Sequence, residues 1–416
     1  MFPPAHWICR NRWLLPWLIP VLGLLLAPAD HIGHYVHAQE AGGKEGDAQE
    51  ATAPAPAGQN PGSQGVEQWV MRLGHQQYSI REHAAEKLLR AGAVALPALE
   101  RGSRHSDREI RFRCERILSV VRENEMSNRL EAFLSDHDPQ KDYGLSGWKY
   151  VQAKLGNTPE TRSLFVDMYQ SEPELLSACE KGGKSIQEVL SDRVRALEQH
   201  LQLFPQDMPI GSAATVLMLA ADDRLQYNMN AGRLVYSFSQ FPAFRASVTA
   251  GTHRELLRSM MGRWIKREVD DAQAYQMLFV SMQYNFKEGL VPAERLIKRA
   301  TNQPWMRHYA IMALAKLGEK SQAKLLEPLL NDQAVCSSWQ NNNVTYSTQV
   351  RDSALVGILY LHKQDLRNFG FERAQPDPSN LFAPHTIGFE NEDKRKVAFD
   401  KWNEFRKTLA DKPEGG

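Results

Sequence analysis

A nine-residue pattern occurs four times in this chain. It reads apolar, Arg, two variable positions, a small residue, three variable positions, apolar. It runs from Ile80-Arg81 through Ala84 to Leu88, and from Ile110-Arg111 through Cys114 to Leu118. It returns as Met306-Arg307 through Ala310 to Leu314, and as Val350-Arg351 through Ala354 to Ile358. Spacings of i, i+4 and i+8 place three apolar side chains on one face of a helix. The small central residue lets a neighbouring helix come close. The first two copies lie 30 residues apart and the last two 44. Such recurrence predicts stacked helical hairpins, an architecture that offers surface and partners rather than chemistry.

Repeats escape the size limit of a single core, so 416 residues can form one long array as readily as two or three domains. Hydrophobic content of 42% and charged content of 24% suit a folded chain. With 50 basic and 49 acidic residues, the balance gives no argument for nucleic acid, an anionic membrane surface or an acidic substrate.

Arg10 and Arg12 precede an apolar run, Leu14 to Ala27, of signal-peptide length and too short for a comfortable membrane span. Pro16 and Pro20 weaken a spanning helix further. Val36-His37-Ala38 offers small residues at the expected cleavage positions. Residues 1–38 are therefore expected to be a signal peptide, leaving no stable membrane span and an exported chain: periplasmic, envelope or extracellular. The three remaining cysteines, Cys114, Cys179 and Cys336, are too few for a disulfide framework. A Cys179–Cys336 bridge stays open, with nothing in the sequence to select it.

Residues 39–64 are rich in Ala, Gly, Pro and Gln and lack bulky apolar residues, which predicts a disordered tether. Repeats are expected over 66–123, with Ser79/Glu82 and Ser106/Glu109 as capping boxes and Gly92 as a left-handed helix end. The middle, 125–300, reads as helical but without a clean repeat. Thr158-Pro159 starts a helix there, Ser185 and Glu188 read as another capping box, Ala213 to Arg224 is a buried apolar helix, and Asp270-Asp271 opens another. No long strand alternation stands out. Clear repeats return over 303–363, where the loop Gln340 to Thr345 precedes a helix from Thr348 to His362. In 364–416, Phe369-Gly370-Phe371 leads to a helix capped by Asn391. Its Ala398, Trp402, Phe405 and Leu409 are placed to cover the end of the array.

These residues resemble HEAT repeats, and in particular the secreted HEAT-like proteins of planctomycete-type bacteria. The likeness rests on Tyr78-Ser-Ile-Arg-Glu-His-Ala-Ala-Glu-Lys-Leu-Leu-Arg-Ala-Gly92, on Ala95-Leu-Pro-Ala-Leu-Glu100, and on Gly147-Trp-Lys-Tyr150 with Arg162-Ser-Leu-Phe165 and Glu172-Pro-Glu-Leu-Leu176. Val350-Arg-Asp-Ser-Ala354, Phe369-Gly-Phe371 and Trp402 extend it to the C-terminus. Only 78–122 and 303–362 are specific as HEAT-like helices. The resemblance implies an all-α superhelix (an α-α solenoid) with an interaction role, and no catalytic residue. It also implies that Arg81, Arg111, Arg307 and Arg351 brace neighbouring repeats through acidic or carbonyl partners.

Chemical motifs are sparse. Asp136, Asp138 and Asp142 lack the Gly and Glu that a calcium loop needs and read as turn residues. Gly182-Gly183-Lys184-Ser185 lacks the first glycine and the preceding strand of a phosphate loop. No zinc signature or nucleophile elbow occurs, so no metal, cofactor or catalytic residue is assigned. Arg108, Arg111, Arg113 and Arg116 are interleaved with Glu109 and Glu115, a mixed solvated face. Tyr227, Tyr236, Phe238, Phe241 and Phe244 crowd one short stretch. They are expected either as core or as a groove for a peptide or glycan. The sequence thus points to an exported, non-catalytic scaffold or adaptor that binds other proteins at the cell envelope. The alternatives are a peptide- or glycan-binding module built on the aromatic middle, or a hydrolase of envelope polymers with its site between the middle helices. Circular dichroism of the chain from residue 39 onward should give a predominantly helical spectrum; a dominant sheet signal contradicts the repeat.

Overall fold

The computed structural model describes residues 63–410 except 137, 139–140, 205–206 and 300–302. The expected signal peptide and nearly all of the expected tether lie outside the described residues. The first helices are α1 (Ser63–Arg72), α2 (Tyr78–Ala91), α3 (Leu96–Gly102) and α4 (Arg108–Ser135). Val66, Leu73, Ala84, Leu88, Leu99 and Cys114 form their shared core. The 30-residue recurrence is reproduced atom by atom at the turns. The backbone N–H of Gln77 donates to His75 Nδ1, and that of Asp107 to His105 Nδ1, both at 3.0 Å. Helix α2 begins after Gln77 without a side-chain cap, and α4 after Asp107, whose carboxylate accepts from the Glu109 and Ile110 N–H groups. Neither Ser79 nor Ser106 caps its helix, because each turn already places another residue at the boundary. Gly102 is required by close approach: a Cβ there would sit 2.4 Å from Cys114 Sγ.

Helix α4 spans 28 residues and runs unbroken through the boundary expected at 123–125. Its first half, through Val121, belongs to the N-terminal core, and Leu130 and Phe133 belong to the next. The cores change where the backbone does not.

The middle holds α5 (Trp148–Leu155), α6 (Pro159–Ser171), α7 (Pro173–Lys181), α8 (Lys184–Leu203), α9 (Ile210–Ala221), α10 (Met229–Ser239), α11 (Pro242–Ala250), α12 (Arg254–Ile265), α13 (Asp271–Tyr284) and α14 (Leu290–Lys298). Thr158 and Asp270 cap α6 and α13 through their side chains. Helix α8 instead follows Gly183, at φ +70°, with no side-chain cap from Ser185. Helices α4, α6, α9 and α12 neighbour one another in sequence, while α8, α10 and α13 form a second row against them. Helix α9 is buried from Gly211 to Ala221 because α6, α10 and α12 all pack on it. Beside it Arg162, only 2% exposed, donates to the carbonyls of Phe133 (2.6 Å) and Asp136 (2.7 Å) and to Asn157 Oδ1 (2.8 Å). The rings of Phe133, Tyr143 and Trp148 surround its guanidinium, giving the buried cation π-faces as well as carbonyls.

The second row continues through α15 (Pro304–Leu317) and α17 (Val350–Leu361); α16 (Ala323–Leu326) packs on α17, and α18 (Glu392–Ala410) ends the described chain. Helix α13 serves two cores. Met277, Val280 and Tyr284 face the middle one, while Ala274, Leu278 and Met282 face the C-terminal one. The change of core thus falls within α13, ahead of the boundary expected at 300–303.

The fold is mostly helical, with two small antiparallel strand pairs among the described residues. The segment read as a loop is an antiparallel hairpin, β1 (Val335–Asn341) and β2 (Val344–Gln349). Asn342 and Asn343 adopt φ of +47° and +62°, the backbone of the two-residue turn that matches strand twist. Cys179 lies in the middle core and Cys336 against the C-terminal one; both thiols are free, which removes the open disulfide. Gly92 has a positive φ of +53°, but its ψ of −131° puts it outside the left-handed helical region expected there, and its counterpart Gly318 has φ −87°. At the end, Asn391 Oδ1 accepts the Lys394 N–H, and Ala398 and Trp402 enter the core. Buried Arg395 joins α18 to Asp352 of α17 at 2.8 Å and to the Ser347 carbonyl of β2 at 2.9 Å. Among the described residues no helix is long and apolar enough to cross a membrane.

Two outcomes follow from this packing. Ala310 has no exposed surface, so Ala310→Asp leaves a charge without a partner and should cost on the order of 3–5 kcal/mol. A thermal melt unchanged by this variant contradicts the packing. His308 is fully buried; its Nε2–H donates to the Phe382 carbonyl at 3.0 Å and its Nδ1 accepts from Ser353 Oγ at 2.8 Å. Burial depresses its pKa to about 4, against a weaker opposing effect of the Phe382 carbonyl. The unfolded chain therefore binds this proton first. The stabilisation is complete above the unfolded pKa near 6.5 and is lost as pH falls toward 4, by about 3 kcal/mol in all. Melting temperature against pH should show this decline, and His308→Gln should flatten it.

Candidate functional site

The four motif arginines do different things. Arg81 Nη1 donates to the carbonyls of His75 (2.8 Å) and Gln76 (2.9 Å), and Arg111 Nη1 to those of His105 (2.6 Å) and Ser106 (3.1 Å). Each thereby fastens the turn that precedes its own helix. Arg81 also lies 3.5 Å from Glu109 in the next repeat. Arg307 pairs with Asp332, and Arg351 with Glu392 of the last helix at 2.7 Å.

The aromatic stretch of the middle does not assemble into one surface. Phe238 and Phe244 are buried, with ring centroids 5.0 Å apart. Tyr227 is half-buried and tied to the core: its hydroxyl donates to Gln273 Oε1 at 2.9 Å and accepts from Trp264 Nε1 at 3.2 Å. Phe241 lines a small apolar recess of about 150 Å³ with Met208 and Ile210. Tyr236, half-buried like Tyr227 and Phe241, lies beside other aromatics.

The sequence reading missed these other aromatics as candidate site residues. Helices α10, α13 and α15 are successive neighbours. Tyr275 and Phe279 stand one turn apart on α13, their centroids 4.7 Å apart, and Trp305 and Tyr309 one turn apart on α15. Tyr275 meets Trp305 at 4.8 Å and Tyr309 at 5.4 Å, and Phe279 meets Tyr309 at 5.2 Å. The three contacts of Tyr275 are edge-to-face and the Phe279–Tyr309 contact is tilted, arrangements that aromatic pairs favour. Trp305 is 36% exposed and the other three are half-buried. Burial raises the pKa of the Tyr275 phenol, and the nearby phenols of Tyr309 and Tyr236 raise it further. Burial likewise raises that of Tyr309, with Asp377 adding to it. None of these three hydroxyls hydrogen-bonds to another described residue, so each keeps a donor and an acceptor for an outside group. The i, i+4 spacing of both aromatic pairs was visible in the sequence. It reads equally as core, and only the neighbouring helices show that these rings lie on the outer face.

Catalytic chemistry finds one partial arrangement. His253 Nε2 lies 3.1 Å from Asp167 Oδ2 across α12 and α6. Its Nδ1 is buried and meets no hydroxyl or thiol among the described residues. Burial pushes the Cys179 thiol up to about 12, with Asp222 adding to it, the opposite of an activated nucleophile. Asp136 and Asp142 serve turns, accepting from the N–H groups of Asp138 and Gly144. No group of three His, Cys, Asp or Glu residues suited to a metal ion occurs among the described residues.

No protein-family model matches the sequence, and the curated proteins include no match to it.

Proposed function

We propose that this chain is an exported, non-catalytic adaptor, a HEAT-like superhelix that binds a partner protein at the cell envelope through the aromatic face of α10, α13 and α15. The two rows of neighbouring helices support the stacked-repeat reading. The recurrence of one turn geometry at His75–Arg81 and His105–Arg111 supports it further. One observation carries the functional reading: Tyr275, Phe279, Trp305 and Tyr309 form a rigid, partly exposed cluster that keeps free hydroxyls. Aromatic rings with a polar tip anchor protein interfaces because they bury large area at small entropy cost, and Trp and Tyr dominate interface hot spots. A partner segment laid across the rings would bury their exposed edges and hydrogen-bond to the hydroxyls.

The test is site-specific photocrosslinking in the envelope fraction. A photoreactive residue replacing Trp305 should yield a discrete protein adduct, and the same residue at exposed Glu86 should not. Trp305→Ala combined with Tyr309→Ala should weaken capture of that adduct's protein at least about tenfold, with the helical spectrum unchanged. Equal adduct formation at both positions, or undiminished capture by the double variant, refutes the reading.

A further inference from the structure

A cleft lies where the ends of α5, α9, α12 and α14 meet. Its volume is about 630 Å³, within the range of ligand clefts. Its floor is apolar, made by Met218, Ala221 and Met260, and its rim is cationic. Lys154 at the rim is neutralised by buried Asp222, which also accepts from the Tyr150 hydroxyl at 2.5 Å. Burial works against ionising Asp222, but the bonds from Lys154 and Tyr150 outweigh it and bring its pKa to about 2. Four cations are then left, Arg263, Lys266, Arg267 and Arg295, facing the carboxylates of Asp223 and Glu268. Glu268 is turned toward Arg299, 3.8 Å away.

The way the guanidiniums are held is the telling feature. Arg267 donates to the carbonyls of Asp222 (2.5 Å) and Leu225 (2.9 Å). Arg295 donates to those of Arg267 (2.7 Å) and Lys266 (3.1 Å). Arg263 donates to the Lys154 carbonyl at 3.1 Å and to Ser259 Oγ at 3.2 Å. All of these acceptors are neutral. The side chains are fixed in place without a carboxylate at ion-pair distance among the described residues, and each guanidinium keeps further N–H donors. Along α2 to α4, by contrast, Arg101, Arg113 and Arg122 are each paired with a glutamate. Lys266 is exposed and makes no side-chain hydrogen bond or ion pair with a described residue.

We propose that this cleft binds an acidic peptide segment of a partner protein, carboxylates on the fixed guanidiniums and apolar side chains on the methionine floor. Asp223 and Glu268 on the rim favour charges spaced along a peptide over a dense phosphate group, which they would repel. The peptide's source rests on the reading of the chain as an adaptor; the chemistry of the cleft does not, and the aromatic face is built from other helices.

The probe is a short fluorescein-labelled peptide alternating Glu and Leu, titrated with the full chain and followed by anisotropy. Binding should weaken as ionic strength rises. It should fall about tenfold with Lys266→Glu, a change that breaks no contact in the fold. A peptide alternating Gln and Leu should bind markedly more weakly, and Trp305→Ala should leave the Glu–Leu affinity unchanged. Equal affinity of the two peptides, or no effect of Lys266→Glu, overturns the proposal. Displacement of the peptide by inorganic pyrophosphate at comparable concentration assigns the cleft to phosphate chemistry and overturns it too. Loss of binding with Trp305→Ala would place the peptide on the aromatic face instead.

Discussion

Helices stacked end beside end leave carbonyl oxygens without partners at every C-terminus, and this chain answers them repeatedly with arginine. Arg162 takes the carbonyls of Phe133 and Asp136 near the end of α4. Arg267 takes those that follow α9, and Arg295 those at the end of α12. Each of these three arginines, on a later helix or the turn after one, reaches back to the end of an earlier helix and puts a five-donor fork where two acceptors lie close together. Apolar packing supplies the bulk of the stabilisation, but it is non-directional. The arginine forks add direction, because a rotated or slipped helix would strand carbonyls in a dry interface.

The same device explains how a chain with almost no net charge carries a cationic cleft. An arginine paired with a carboxylate is spent electrostatically, and an arginine held by carbonyls is not. Composition counts both alike, so 50 basic against 49 acidic residues gives no sign of the cleft. The aromatic face arises in a comparable way. Tyr275 and Trp305 lie far apart in the sequence, and their rings meet only because α13 and α15 are neighbours.

Local rules placed some helix starts and missed others: Ser79, Ser106 and Ser185 do not cap their helices. Thr158, Asp270 and Asn391 cap helices as their residue types suggest, and the motif centres Ala84, Cys114, Ala310 and Ala354 are buried as their spacing requires. The hairpin was legible too, since Asn342-Asn343 stands between β-branched and aromatic residues, but the helical surroundings masked it. Boundaries were less so. A helix such as α4 can pass from one core to the next without interrupting its hydrogen bonds, and no residue marks the change.

Periodicities and residue preferences spanning a few positions were enough to give the helical class, the caps at Thr158, Asp270 and Asn391, and the face each repeat helix buries. Which aromatics are core and which are surface, and which arginines have no carboxylate partner, emerges from the packing of the helices. Both depend on what lies opposite each side chain, and that is set by helices tens of residues away.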